Sequence, residues 1–250
     1  MKHLHKAILI PLLLILLIAP LAAVRAQRSD TQAPADRFNR ALQFSNVGQR
    51  MTLYMEQLRN RLRNAAGIAE REKENIIASL NEDISYLQSE AISIGRARTD
   101  EDLETRRERL RQYWLANERS VKSFVGTLLS SNVKYAIERL ERLQPKVTTL
   151  IERLTEEGDE NIDELKETYD TFTGYVAAAK AEYDEAQKNF QQIESSDDPQ
   201  ALFVSGHDHL KVAHQNLRMA RQTFRELLVS LRKALPPTDK ATTTQPDYIQ

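Results

Sequence analysis

Apolar side chains recur along this chain at alternating steps of three and four residues. That spacing keeps one stripe of an α-helix facing a partner. Five such stripes follow one another, at residues 44–65, 77–94, 103–154, 162–193 and 203–231. The pattern predicts an all-α protein, an elongated antiparallel helical bundle or coiled coil with about five long helices.

Residues that start and stop helices lie between the stripes. Gly95 is suited to the left-handed conformation that follows many helices, and it predicts the end of the second helix. Thr99 followed by Asp102 resembles a capping box with Asp in place of Glu, so a third helix is expected to begin there. Asp198 as N-cap, with Pro199 in the first turn, predicts the start of the last helix.

The third stripe contains an irregularity. Its phase is lost between Gly126 and Asn132 and resumes at Val133, whereas the first phase would continue at Ser131. Such a slip indicates either a local change of winding in a coiled coil or a break between two units. Pro145 further predicts a kink, because proline lacks a donor and crowds the carbonyl four residues earlier.

The same succession of helix, glycine, helix, acidic turn and helix occurs twice along the chain. Gly67 corresponds to Gly158, and the acidic turn at 99–101 corresponds to the one at 197–199. This parallel predicts two three-helix units, residues 36–131 and 132–235, that share a long central helix. In helix lengths and turns over this stretch the chain resembles spectrin-repeat proteins, in which the last helix of one unit runs into the first helix of the next. The resemblance implies an architecture and carries no site residues.

The N-terminus has the order of a secretory signal. Lys2 and Lys6 precede an apolar run, and Val24 and Ala26 stand where a signal peptidase reads small side chains. We therefore expect a signal peptide at 1–26, cleavage before Gln27, and export to the periplasm, the cell surface or the medium. The alternative is an uncleaved membrane anchor, because residues 7–24 approach the roughly 18 apolar residues of a membrane span. In that case the segment would be the chain's only membrane contact.

Composition supports the helical interpretation. The chain has 7 glycines, 8 prolines and 6% aromatic residues, which leaves little material for the turns and pleated surfaces of sheets. It has no cysteine, so neither disulfides nor lipid attachment at cysteine can occur. A short linker is expected at 27–35 and a disordered Pro- and Thr-rich tail at 236–250. With its signal and capped amphipathic helices, the chain resembles exported coiled-coil proteins of prokaryotic envelopes.

Charge is unevenly distributed. Cleavage would leave 32 basic against 36 acidic residues, a balance that does not predict nucleic-acid binding. Residues 152–198 contain 15 acidic and 4 basic residues, so one end should be acidic. Arg59, Arg61 and Arg63 lack compensating acidic residues nearby and are a candidate contact for an anionic surface such as lipid or cell-wall polymer. A solvated helix face is the alternative.

The only other cluster with recognisable chemistry contains histidines. His207, His209 and His214 lie together with Asp208, and could bind zinc or a similar ion if the turn at 205–206 unwinds. On a regular helix they would instead be polar flanks, or a patch that responds to pH. Gly206 lies on the core stripe, where close helix approach or a kink is expected.

Motifs for catalysis are absent from the sequence. No Gly-x-Ser-x-Gly elbow and no phosphate-binding glycine loop occur, and adjacent carboxylates on a helix point apart. We therefore expect neither an enzyme nor a cofactor. The sequence predicts an exported scaffold or interaction module that binds a protein partner or itself through helical seams. The alternative is a ligand- or metal-binding helical module centred on the histidines.

Overall fold

The computed structural model describes residues 33–235, and these residues form six α-helices with no strand among them. The helices are α1 Ala33–Arg63, α2 Glu70–Gly95, α3 Asp100–Glu141, α4 Gln144–Glu157, α5 Ile162–Gln192 and α6 Pro199–Ala234. Five are long, while α4 has only 14 residues. The prediction of an all-α helical bundle with about five long helices is confirmed.

The terminal predictions lie largely beyond these helices. The signal segment 1–26 and the tail 236–250 are outside the described residues. Helix α1 begins at Ala33, inside the segment 27–35 that the sequence suggested as a linker. Its first turns are difficult to recognise from an apolar stripe, because Phe38 and Leu42 are exposed and Ala41 is the first buried residue.

Two predicted N-caps are confirmed. The Thr99 hydroxyl accepts a hydrogen bond from the Asp102 amide at 3.1 Å, and α3 begins directly after it. The Asp102 carboxylate accepts from Arg106 Nε at 2.7 Å rather than completing the capping box. Asp198 accepts from the Ala201 amide at 2.9 Å and caps α6. Side chains thus satisfy amides that have no partner within the helix.

The glycines at helix ends behave differently from one another. Helix α2 does end at Gly95, but the prediction of a left-handed Gly95 is wrong, since the capping residue Arg96 has φ −100°. Gly67 (φ 83°) and Gly158 (φ 74°) adopt the left-handed conformation instead. At Gly67 a side chain would also collide with the Ser131 carbonyl, so the α1–α2 turn lies directly on α3. Glycine is required there for both reasons.

Buried apolar residues form two cores that share α3. The first core lies between α1, α2 and the N-terminal half of α3, with Met55, Leu87 and Leu103 fully buried. The second core lies between the C-terminal part of α3, α4, α5 and α6, with Phe172 and Leu227 fully buried. One 42-residue helix therefore connects two helical bundles.

The phase slip in α3 marks a change of covered face. The helix is unbroken from Asp100 to Glu141, so of the two alternatives for the phase slip, a break within the helix is excluded. Residues 103–121 face the first core and residues 133–140 face the second. At about 100° per residue, the two stripes differ by roughly 110° around the helix. Between them Gly126, Ser130 and Ser131 are buried, because neighbours cover α3 on more than one side.

Pro145 marks an interruption rather than a bend inside one helix. Helix α3 ends at Glu141, a two-residue turn follows, and Pro145 lies in the first turn of α4. A missing amide proton is harmless there, because the first-turn donors have no helical acceptor.

Two glycines enclose one aromatic ring in the second core. A Cβ at Gly126 would lie 2.6 Å from Phe190 Cγ, and a Cβ at Gly206 would lie 2.6 Å from Phe190 Cε1. The Phe190 ring of α5 thus fills the space left by two missing side chains, one on α3 and one on α6. The predicted close helix approach at Gly206 is confirmed, and α6 continues through it without a break.

A buried polar pair fixes α2 against α3. Asp83 of α2 is only 7% exposed, and its carboxylate accepts a hydrogen bond from the Tyr113 hydroxyl of α3 at 2.5 Å. Tyr113 also stacks on Tyr86, with ring centroids 3.8 Å apart. Burial, together with the hydrogen bond to Asp83, raises the pKa of Tyr113, so it remains a donor at neutral pH.

We expect Tyr113→Phe to lower the free energy of unfolding by about 1–3 kcal/mol, because a buried carboxylate loses its partner. The matched double variant Asp83→Leu/Tyr113→Phe should cost less than the sum of the two single changes. Urea denaturation of all three variants measures this coupling. Strictly additive losses would show that the pair does not stabilise the α2–α3 contact.

Candidate functional site

The predicted metal ligands lie on α6, which is regular throughout their span. The metal prediction required the turn at residues 205–206 to unwind, but Pro199–Ala234 is one continuous helix. His207 and His209 therefore project to different flanks, and His209 pairs with a residue of another helix. Within residues 33–235 no three histidine, aspartate or glutamate side chains could hold a metal ion. A regular helix separates the side chains of His207, Asp208, His209 and His214, so the structure does not bring them together, and metal binding by them stays a prediction.

His209 joins α6 to α5. Its Nδ1 lies 2.7 Å from Glu182 Oε2, and both side chains are about one third exposed. Asp208, beside it, accepts a hydrogen bond from Lys211 at 2.7 Å on the outer side of α6. The imidazole and the carboxylate form an interhelical contact. Glu182 could not be recognised as the partner in advance, because the two residues are 27 positions apart.

An open groove of about 840 Å³ runs beside this pair. Glu182, Asp198, Asp208 and His209 contribute polar atoms, and Val204 and Val212 contribute exposed apolar surface. The nearest hydroxyl, Ser205 Oγ, accepts a hydrogen bond from Asn189 at 3.1 Å. Its partner is the Asn189 side-chain amide, which is not a general base.

His207 and His214 lie on the flank of α6 away from His209. Burial and the positive charges of Arg221 and Arg218 lower the pKa of His214, while burial and Lys211 lower the pKa of His207. Both rings are therefore neutral at pH 7. In the unfolded chain they would take up protons near their usual pKa of 6.5.

These shifts predict a pH dependence of stability. Because the folded-state pKa values are depressed, the unfolded state binds more protons as the pH falls below about 6.5, and stability falls with it. We expect His207→Gln/His214→Gln to reduce the decline of the melting temperature between pH 7 and pH 5. At pH 8 His207 and His214 are neutral in both states, so the difference in melting temperature between variant and wild type at that pH corrects for lost packing. An unchanged slope would contradict this explanation.

The arginines at the end of α1 are placed at the α1–α2 turn. Arg61 and Arg63 are exposed, whereas Arg59 is partly buried and donates to Asn81 Oδ1 at 2.8 Å. Only two of the three predicted contact residues are therefore fully available to a surface. Their role in binding an anionic surface stays a prediction.

Arginines in the N-terminal half of α3 form ion pairs within the helix. Arg106, Arg107 and Arg111 lie 2.7, 3.1 and 2.9 Å from acidic side chains three or four residues earlier. Because basic and acidic residues alternate at helical spacing in this segment, its charges largely neutralise one another.

Comparisons with known proteins place the chain in no family. No family model, no curated protein and no solved structure matches it. None of the helices in residues 33–235 is both long and apolar enough to cross a membrane. The structure defines the class of protein as an all-α helical bundle with two cores along one shared helix.

One set of residues was not recognised as a group from the sequence. Along α6, His and Arg side chains recur at steps of seven, four, three, four and seven residues. They are His207, His214, Arg218, Arg221, Arg225 and Arg232. This spacing places them on one flank of a helix. The periodicity that reveals apolar stripes would have revealed this one, had it been applied to basic residues.

Proposed function

We propose that this chain is an exported, non-catalytic helical scaffold that binds another protein, or a second copy of itself, through exposed faces of its helices. The observation that carries the proposal is the arrangement of two cores along one unbroken helix. At about 1.5 Å per residue, the 42 residues of α3 span roughly 63 Å. A frame of this kind separates binding surfaces in space.

Exposed apolar side chains support a role in protein binding. On α1, Phe38, Leu42 and Leu53 are each more than half exposed and fall on one side of the helix. Ile92 of α2 is 55% exposed. Phe38 and Leu42 are one helical turn apart and form an exposed apolar patch. Apolar patches are typical of interaction sites, whereas single exposed residues need no explanation.

Export is the second part of the proposal and rests on the N-terminal sequence. A basic start, a short apolar run and small residues at Val24 and Ala26 favour cleavage before Gln27. Intact-mass analysis of protein collected outside the cytoplasm should show a chain that begins at Gln27. A full-length chain retained in the membrane would instead support the uncleaved anchor.

Photo-crosslinking tests the binding role. A crosslinking amino acid placed at Phe38 or Leu53 in the full chain should form adducts with a protein, identified by mass spectrometry in the cells that produce it. Gln43, which is exposed on a different side of α1, is the matched control and should remain without adducts. Equal labelling at all three positions, or none, would contradict a specific binding face.

A further inference from the structure

A row of basic side chains runs along the flank of α6 that faces α3. It consists of His207, His214, Arg218, Arg221, Arg225 and Arg232, the set with helical spacing noted above. From first to last it extends over 25 residues, or about 37 Å. We call this row the α6 ridge. The core residues Leu217 and Phe224 lie beside it on the same helix, so the ridge is held at the edge of the second core.

Helix α3 adds basic residues next to the ridge. Arg139 lies close enough to Arg221 to lower its pKa, and it stacks over the Tyr135 ring at 5.6 Å from the centroid. Arg142 at the end of α3 is exposed. Tyr135 itself is 40% exposed. Two neighbouring helices therefore present one broad basic surface.

The central arginines of the ridge have no counter-charge. Within residues 33–235, Arg218, Arg221 and Arg225 are all exposed, and none forms an ion pair. The two acidic residues of α6, Asp208 and Glu226, lie on a different flank, where they accept from Lys211 and Gln222. This contrasts with α3, where Arg106, Arg107 and Arg111 are each paired.

The basic residues of the α6 ridge create a positive potential along it. Besides burial, the charges of Arg139 and Arg225 lower the pKa of Arg221, and those of Arg221 and Arg218 lower the pKa of His214. Like charges thus oppose one another across α3 and α6. A bound anion would relieve this repulsion.

The kind of anion follows from the shape and the chemistry of the surface. Guanidinium groups bind phosphate oxygens through paired hydrogen bonds. The basic groups are spread along about 37 Å of helix and line no pocket, so they fit many phosphates presented in one plane. The α5 side of the same bundle has 7 acidic and 3 basic residues between Ile162 and Gln192. Repulsion of that side would orient the bundle with the ridge toward the anionic plane.

We propose that the α6 ridge, together with Arg139 and Arg142 of α3, is a docking surface for a bilayer of anionic phospholipids. This surface is separate from the protein-binding face proposed for α1, so either assignment can fail without the other. Each arginine near an anionic membrane strengthens binding about fivefold, and the three central arginines together provide a factor on the order of 100.

Cosedimentation with lipid vesicles tests the proposal. The full mature chain should bind vesicles of phosphatidylglycerol but not of phosphatidylcholine, and 0.5 M salt should release it. Arg218→Gln/Arg221→Gln/Arg225→Gln should weaken binding on the order of 100-fold. The corresponding triple lysine variant keeps the charge and should retain most of the binding. Circular dichroism of each variant confirms that the helices are intact.

The matched control is Arg106→Gln/Arg107→Gln/Arg111→Gln, which removes the same number of arginines from paired positions on α3. This variant should bind phosphatidylglycerol vesicles like the wild type. Equal binding by the ridge variant, or equal loss in the control, would overturn the proposal. Loss only on replacement of Arg61 and Arg63 would overturn it in favour of the α1–α2 turn. Binding of soluble polyphosphate without binding of vesicles, or self-association that depends on the ridge, would also overturn it.

Discussion

Replacing Gly126 with valine is expected to lower the free energy of unfolding by about 3 kcal/mol, near the upper end of the usual cost of overpacking. A Cβ at this position would lie 2.6 Å from Phe190 Cγ, and the same ring also packs directly on Gly206, where a Cβ would lie 2.6 Å from Cε1, so the ring has little room to shift. Valine has a higher helix propensity than glycine, but this compensates only slightly for the collision. Chemical denaturation measures the change in the free energy of unfolding.

Gly174 provides the control for that experiment. It lies inside α5, and a Cβ there would meet nothing within 4 Å. Gly174→Ala should therefore stabilise the protein by about 0.5–1 kcal/mol through helix propensity alone. If Gly126→Val did not lower the free energy of unfolding, the packing of Phe190 between Gly126 of α3 and Gly206 of α6 would be incorrect.

Phe172→Asp has a still larger expected effect, a loss of about 5 kcal/mol or more. Phe172 is 0% exposed in the second core, and its ring centroid lies 5.2 Å from that of Phe224. Truncation of a buried phenylalanine costs about 3–5 kcal/mol, and an unpaired carboxylate in the same place adds a desolvation penalty. We expect thermal melting to show a second bundle that is unfolded at 25 °C.

Val229→Asp on α6 is the matched control, because Val229 is 53% exposed. A surface substitution of this kind should change stability by no more than about 0.5 kcal/mol. Similar melting temperatures for Phe172→Asp and the wild type would mean that the α5 stripe is not buried.

Much of the fold could be predicted because its determinants are local. Apolar residues at three- and four-residue steps predicted the helices, and Thr99 and Asp198 predicted two helix starts through hydrogen bonds to amides three residues away. Phe172 and Leu217 were predicted to be buried and are. The left-handed Gly95 was wrong, because the chain completes this turn through Arg96.

Features that depend on distant contacts could not be predicted in the same way. The phase slip in α3 was visible, but its cause is a change in which helices cover α3, and this depends on the Gly67 turn and on Phe190. The His209–Glu182 contact and the Asp83–Tyr113 hydrogen bond join residues that are distant in sequence. The metal prediction depended on an unwound turn at residues 205–206, and helix α6 is continuous there.

The central claim is that two helical bundles share one unbroken α3. It can be tested directly, because the chain has no cysteine and two spin labels can be attached at introduced cysteines. Labels at Glu101→Cys and Arg142→Cys flank nearly the whole helix. Double electron–electron resonance should give a single distance of about 60 Å between the two labels. A broad distribution, or a distance well below about 50 Å, would show that α3 breaks at the phase slip and would contradict the shared helix.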